Sequence, residues 1–346
     1  MTSQLEVKVD GRTLRGFESG EVTASMDQFA STFSIDYWAD EVEGGGRLIL
    51  EAGDPIEVAV DGEPIFAGHI DTDETDDEPG RTKRKITGRS KLGDLVDCSA
   101  FSETPVFRGI SLIDLATELT QDYGIAIFDE TEGVEPFDRW KITEGTTIAI
   151  ELQRAAKARG VVLLDQAGDL VLANAGDMET DTRLPGSIAR SSKRARSWKE
   201  RFSEYVVKSK HRRRDEDSGS PTTIREVIED EGVSRFRRMV VAANGERQSA
   251  VRRRAILERN LRAGRSERIT YTVRGWHTDE GAIWRPNTRV AVKDQELGIG
   301  AVLLVVRTTL KHGPSEHRTE LELTRPEAFD AVVDYPVRRR GEGIED

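Results

Sequence analysis

The strongest constraint on the fold is a change of hydrophobic period along the chain. Apolar residues recur every second position near the N-terminus, every three to four in the middle, and every second position again toward the C-terminus. Leu5-Glu6-Val7-Lys8-Val9 alternates and runs into Asp10-Gly11, a hairpin-turn dipeptide. Phe33–Tyr37 and Ile56–Val60 alternate, Asp61-Gly62 repeats the turn, Ile65–Ile70 follows, and a strand near Lys83–Thr87 closes the group. After residue 265, Arg268–Val273, Arg289–Val292, Ala301–Val306 and Glu320–Thr324 alternate in the same way. Short strands punctuated by Gly and Asp predict small barrels or sandwiches.

Helical signals lie between. Ser111 and Asp114 form a capping box ahead of Leu112, Leu115, Ala116, Leu119 and Tyr123, and Gly124 stands at the C-cap position. A second helix starts near Thr147, places Ile148, Leu152, Ala155 and Ala156 on one face, and stops at Gly160. Val161–Leu164 and Leu170–Leu172 flank a turn at Gly168, which makes the middle segment a small α/β unit. A third helix is predicted over Ser249–Ala263, ending at Gly264, with Ala250, Leu257 and Leu261 inward. Its other face carries Arg252, Arg253, Arg254, Arg259 and Arg262 and reads as solvated or partner-facing.

The two β groups resemble each other. Asp54–Val60 has its counterpart in Asn287–Val292, and each is followed by a polar turn, Asp61-Gly62-Glu63 or Lys293-Asp294-Gln295. An apolar strand, a Pro/Gly loop (Glu78-Pro79-Gly80, His312-Gly313-Pro314) and a last strand follow in both. Two related units per chain give pseudo-sixfold symmetry when three chains close a ring.

Charge is divided as unevenly as period. Residues 1–100 hold 22 acids and 10 bases, and the other 246 residues hold 41 of each, so the whole formal charge of −12 sits in the first hundred. Ile188–Arg214 carries 11 bases against two acids and ends in His211-Arg212-Arg213-Arg214. Trp198, Phe202 and Tyr205 are interspersed with those bases, so a nucleic-acid patch, a half-buried strand and a contact between subunits remain open readings. No run of about 18 apolar residues is present, and MTSQLEVKVD lacks the pattern of a secretory signal.

Searches for chemistry return no site. A single cysteine, Cys98, excludes a disulfide framework and a cysteine-ligated zinc or iron–sulfur centre, and it reads as a small buried thiol. Gly88–Gly93 lacks phosphate-loop spacing, and Gly298-Ile299-Gly300 lacks the third glycine of a dinucleotide site. The acidic run Asp71–Glu78 fails as a calcium hand, with Asp76 where glycine and Thr82 where glutamate is needed, and reads as a solvated loop. His69, His211, His277, His312 and His317 show no zinc-protease spacing, and no Gly-x-Ser-x-Gly elbow occurs. The expectation is no catalytic residue, no metal site, no cofactor and no enzymatic activity.

Several short motifs together resemble the baseplate hub proteins of Mu-like contractile-tailed phages. They are Gly68-His69-Ile70-Asp71, Ile86–Ala100, Arg201-Phe202-Ser203-Glu204-Tyr205, Tyr271–Trp276 with Gly281–Asn287, and Arg325-Pro326-Glu327-Ala328-Phe329. The resemblance spans most of residues 1–330, and Asp215–Asp230 and the last dozen residues add nothing to it. It implies an α+β, mainly β chain similar to the T-even phage hub. The expected division is a first β-barrel over 1–98, a small α/β domain over 99–187, and a second, discontinuous barrel over 188–212 and 266–330. Its opening strand would lie near Ser197–Lys210. An insertion with the Arg-rich helix would fill 213–265, and 331–346 would be a flexible tail.

By the same resemblance the chain forms a homotrimeric ring that adapts the hexameric tail tube to the trimeric central spike. Baseplate wedge proteins are further implied partners. DNA would pass through without specific binding, past acids of residues 1–100, and the protein would be assembled in the host cytoplasm and reside in the virion tail, with no membrane anchor. The alternatives are the hub of a tailocin or prophage-derived injection device and, in another class, a nucleic-acid-binding protein using the bases of 188–214 and 252–262.

Overall fold

In a computed structural model, which describes residues 4–14, 17–38, 50–78, 81–131, 133–211, 222–244, 248–314 and 316–329, both Asp-Gly dipeptides make tight hairpin turns. Their φ values are 47° and 72° at Asp10-Gly11 and 50° and 81° at Asp61-Gly62. Positive φ at both central residues matches the twist of paired strands, and Gly tolerates it without steric cost.

The N-terminal group contains β1 (Leu5–Val9), β2 (Arg12–Leu14), β3 (Phe17–Ser25), β4 (Thr32–Trp38), β5 (Pro55–Val60), β6 (Glu63–Glu78) and β7 (Arg81–Ser90). The α/β unit follows with α1 (Leu92–Asp97), β8 (Val106–Phe107), α2 (Leu112–Thr120), β9 (Ile127–Asp129), β10 (Trp140–Lys141), α3 (Ile148–Arg159), β11 (Val162–Gln166) and β12 (Asp169–Ala173). Next come β13 (Met178–Leu184) and β14 (Ala189–Arg196), then an inserted unit of β15 (Glu204–His211), β16 (Thr222–Glu229), β17 (Arg238–Asn244) and α4 (Gln248–Arg265). The chain ends with β18 (Glu267–Arg274), β19 (Thr288–Asp294), β20 (Ile299–His312), β21 (His317–Thr324) and a 3-10 turn, Pro326–Ala328.

The expected pair of barrels is corrected by the strand pairing. Thirteen strands form one open sheet, in the order β14-β18-β21-β20-β3-β4-β7-β6-β5-β1-β2, with β13 and β19 branching from β20, and no closed barrel forms among the described residues. The strand β20 makes the sheet continuous. Along one edge, residues 299–304 pair with β19 and residues 307–312 with β3, end to end. Alternation along a strand identifies its buried face but not which edge finds which partner, so closure is not readable from periodicity.

The same pairings give both β groups one path. Taken in chain order, β1, β3, β4, β5, β6, β7 and β13, β14, β18, β19, β20, β21 have the same spatial sequence: first, fourth, fifth, sixth, third, second. The outer pairs differ in direction, β1 running antiparallel to β5 and β13 parallel to β19. Bulges recur at matching places. The β6–β7 register shifts between Ile70 and Thr72 and that of β20–β21 between Val305 and Arg307; β3–β4 shifts between Phe17 and Ser19 and β14–β18 between Ala189 and Ser191.

The discontinuity in the C-terminal group starts earlier than expected. It is β14 that pairs with β18, whereas β15, the strand expected near Ser197–Lys210, lies in a separate sheet ordered β16-β15-β17. The Ser197 N–H donates to the Ser266 carbonyl at 2.8 Å, so the chain leaves and re-enters the main sheet at one point. The helix α4 also runs through Gly264. A Cβ there would stand 2.2 Å from Ala328 Cβ, so the glycine permits close packing of the 3-10 turn and does not end the helix. Residues 331–346, the expected tail, lie outside the described residues.

Caps start α2 and α3 where the sequence predicts, although α2 ends at Thr120 with Gln121 as its C-cap, ahead of the expected Gly124. The Ser111 hydroxyl accepts the Asp114 N–H at 3.1 Å, Thr147 caps α3, and Gly160 closes it at φ 73°. Leu115, Leu152, Leu170 and Leu172 are fully buried in the α/β core, each burial contributing about 1.5–3 kcal/mol. The C-terminal group packs around Tyr271, Trp276 and Trp284.

Candidate assembly surface

The motif residues of the N-terminal group build a tight crossing of two strands. A Cβ on Gly68 would lie 2.1 Å from the Arg89 carbonyl oxygen, and one on Gly88 would lie 2.0 Å from that of His69. Only glycine lets β6 and β7 approach so closely at their bulge. Beside the crossing, the Arg89 guanidinium donates to Asp71 at 2.7 Å and to Asp97 at 2.7 and 3.0 Å, tying both strands to α1. Those two carboxylates raise the Arg89 pKa further, and Arg89 in turn holds the Asp97 carboxyl below its ordinary range. The sequence carries no signal for this clamp beyond the motif, because the partners belong to three elements.

The acidic run is a strand, which corrects the loop reading. Residues 71–78 extend β6 beyond the end of β5, opposite a basic β7 in which Glu74 faces Lys85 and Asp76 faces Lys83. Arg84 stands 3.5 Å from Asp73. A run of acids interspersed with Thr72 and Thr75 suits an exposed strand whose charges are answered across the ladder.

Most described arginines of the basic segments are answered within the chain. Arg194 and Arg196 share Glu267, Arg201 forms a two-pronged pair with Asp230, Arg238 pairs with Glu204, and Arg190 reaches Glu316 at 3.4 Å. On α4, Arg254 and Arg262 both meet Glu258, Arg252 lies 3.9 Å from Glu226, and Arg259 is buried. Val251, Ala255 and Ile256 pack on the small sheet, while Leu257 and Leu261 pack on Leu304 and Val306 of the main one and on Phe329 beyond the 3-10 turn. The helix therefore joins two sheets, and its solvated, Arg-lined face is narrower than a simple amphipathic reading gives. Arg212, Arg213 and Arg214 lie outside the described residues, as does the side chain of His211.

Other singled-out groups occupy joints. His312 and His317 stack at 4.9 Å at the end of the β20–β21 hairpin, with Trp276 on His317 at 4.2 Å and Phe17 of β3 against His312 at 4.9 Å. Burial and then the neighbouring His317 lower the His312 pKa. His277 lies 3.6 Å from Asp61, and Cys98 is half-buried beside the α/β core. Asp165 accepts the Ser31 and Gly168 N–H groups at 2.7 and 2.9 Å, and burial pushes its pKa up. No group of three potential metal-ligating side chains converges among the described residues.

Comparison with known proteins finds three matching family models along the chain. Residues 4–90 match the family "Mu phage baseplate assembly protein GpP-like, N-terminal". Residues 92–174 match "Baseplate hub protein gp44-like, second domain", and 247–332 match "Mu phage baseplate assembly protein GpP, fourth domain". The baseplate hub protein gp44 of Escherichia phage Mu is 26% identical over 99% of this chain and 93% of its own length. The chain is similar to the Mu-type baseplate hub proteins over most of its length. In fold, the chain superimposes on the 43 kDa tail protein of prophage MuSo2 from Shewanella oneidensis with a TM-score of 0.83, at 24% identity over 95% and 100% of the two chains. An E. coli protein, c3393, described as a type VI secretion component structurally similar to the T4 tail proteins gp27 and gp5, gives 0.58 at 8% identity over 92% and 76%.

The remaining motifs shared with the hub proteins are joints as well. Trp276 donates its indole N–H to the Lys311 carbonyl at 3.0 Å. Asn287, at φ 70°, accepts from Gly176 N–H at 2.6 Å and donates to the Asn174 carbonyl at 2.9 Å, which fastens the α/β unit to β19. Phe202 lies edge-on to Tyr205 between Arg237 and Arg262. What these residues have in common is that they hold elements together.

Proposed function

We propose that this chain is a baseplate hub protein that closes as a homotrimeric ring, adapts the hexameric tail tube to the trimeric central spike and lets DNA pass. The observation that carries this reading is the duplicated strand path. Two β groups with one spatial order and bulges at matching places put six similar units into three chains, a trimer that presents near-sixfold contacts on one side and threefold contacts on the other. The ring is a structural part of the virion tail and carries out no catalysis.

A channel for DNA must not retain it, because each neutralised phosphate would strengthen the contact and make it salt-dependent. The pairing of Arg194, Arg196, Arg201, Arg238, Arg254 and Arg262 with acids of the same chain favours passage over binding. Light scattering should give three times the 38.6 kDa chain mass, and negative stain should give a ring with a central hole. A monomer with spike and tube partners present would refute the adaptor reading, and salt-sensitive retention of DNA would favour a nucleic-acid-binding role.

A further inference from the structure

The intrachain seam between β20 and β3 has an unfilled counterpart. By the matching registers, Thr72 of β6 corresponds to Arg307 of β20, since they face Thr87 and Glu322, and those two face Ser34 and Thr270. Likewise Glu21 of β3 corresponds to Lys193 of β14, since they face the same Ser34 and Thr270. Residues 307–312 are covered by β3, whereas among the described residues no strand pairs with 72–78 on that edge and β14 ends the sheet. Burial reflects this. Thr308 and Leu310 are buried while Asp73 is half-buried and Thr75 exposed; Gly20 and Val22 are buried while Ser192 is exposed and Arg194 half-buried.

We propose that β14 of one copy adds to the outer half of β6 of the next, in the register that β3 takes on β20 within the chain. The pairs Thr308–Ala24 and Lys311–Glu21 then become Asp73–Arg196 and Asp76–Lys193 between copies. The acidic edge, Asp71 to Asp76, meets the basic edge, Arg190 to Arg196, so charge selects this partner while the backbone supplies the ladder. Lys311 and Glu21, 3.8 Å apart, are the internal precedent with the signs exchanged. Asp73 and Arg196 have intrachain partners, Arg84 at 3.5 Å and Glu267 at 3.0 Å, which can be shared across the seam. Each chain offers one donor edge and one acceptor edge, a head-to-tail arrangement that closes when rotation permits. The inference rests on the ring reading and assigns the strands that close it.

Full-length chains in a Cys98→Ser background test the register. Opposed antiparallel residues have Cα atoms about 4.5–5.5 Å apart, within disulfide reach. Asp76→Cys combined with Lys193→Cys should oxidise to a reducible covalent trimer, and a mixture of the two single-cysteine chains should give covalent dimers only. Separately, Asp73→Arg with Asp76→Lys should raise the dissociation concentration about tenfold or more, and adding Lys193→Asp with Arg196→Asp should reverse the loss. A trimer by light scattering in which the two introduced thiols stay reduced overturns the pairing and leaves the ring reading standing. A monomer under every condition overturns both.

Discussion

Lys311 of β20 faces Glu21 of β3 across the seam that joins the two β groups, its Nζ 3.8 Å from the Glu21 carboxylate and 2.8 Å from Glu320. The Lys311 side chain is three-quarters buried, with its ammonium against two acids from two strands. Lys311→Glu gathers three carboxylates there and should destabilise the chain by about 1 kcal/mol, with Glu21→Lys recovering part of the loss. Urea unfolding of the single and double variants measures the coupling, and strictly additive losses would show that the pair does not interact.

Gly88 stands where β6 and β7 cross. In Gly88→Ala the new methyl meets the His69 carbonyl oxygen and Phe33 Cε1, at 2.0 and 2.7 Å before relaxation. The expected cost is about 1–3 kcal/mol, read as a lower thermal midpoint, whereas Gly11→Ala meets no atom within 4 Å and bears only its φ of +72°. Equal losses at the two positions would contradict the close-approach account.

Glu151 is wholly buried at the start of α3. Burial alone would raise its pKa, but the Arg154 pair, the Thr143 N–H at 2.8 Å and the Thr146 hydroxyl at 3.0 Å hold it below the ordinary glutamate value. A folded pKa below the unfolded one stabilises above the unfolded value of about 4.3 and loses that contribution as pH falls through the lowered one. Glu151→Gln should therefore cost about 1–3 kcal/mol at pH 7 and progressively less toward pH 3. Thermal denaturation across that range checks it; a constant difference would contradict it.

The His312 imidazole is held below its usual pKa by burial and by His317. Here the sign reverses in charge but not in direction: the folded state resists protonation, so stability is complete above about 6.5 and falls as pH drops below it. His312→Gln should flatten this part of the pH profile, which NMR titration of the imidazole and chemical denaturation at pH 5 and 8 would both report. A midpoint at or above 6.5 in the folded protein would be incompatible with the packing at Phe17.

Local signals are legible where the chain needs no distant partner. Ser111, Thr147 and Gly160 define helix ends from their own neighbourhoods, and Asp10-Gly11 and Asp61-Gly62 define turns. The strand β3 is hidden because Glu18-Ser19-Gly20-Glu21 reads as a polar loop; its buried face is created by β20, some 290 residues later. The Arg89 clamp and the binding of α4 Arg side chains are equally hidden, since each partner is set by tertiary pairing. The repeat is visible as similar segments, but its common strand order and bulges require the ladder registers.

The seam also fixes an order of events during synthesis. The N-terminal group is translated first, yet the strand that covers β3 reaches only from Arg307 to His312. Until the ribosome has delivered those residues, the N-terminal group holds an open β edge, the kind of surface that recruits other chains. Synthesis of residues 307–312 and protection of the β3 edge are thus one event. A chain released before residue 307 would emerge with both an acidic acceptor edge and an unpaired β3, able to join the wrong neighbour.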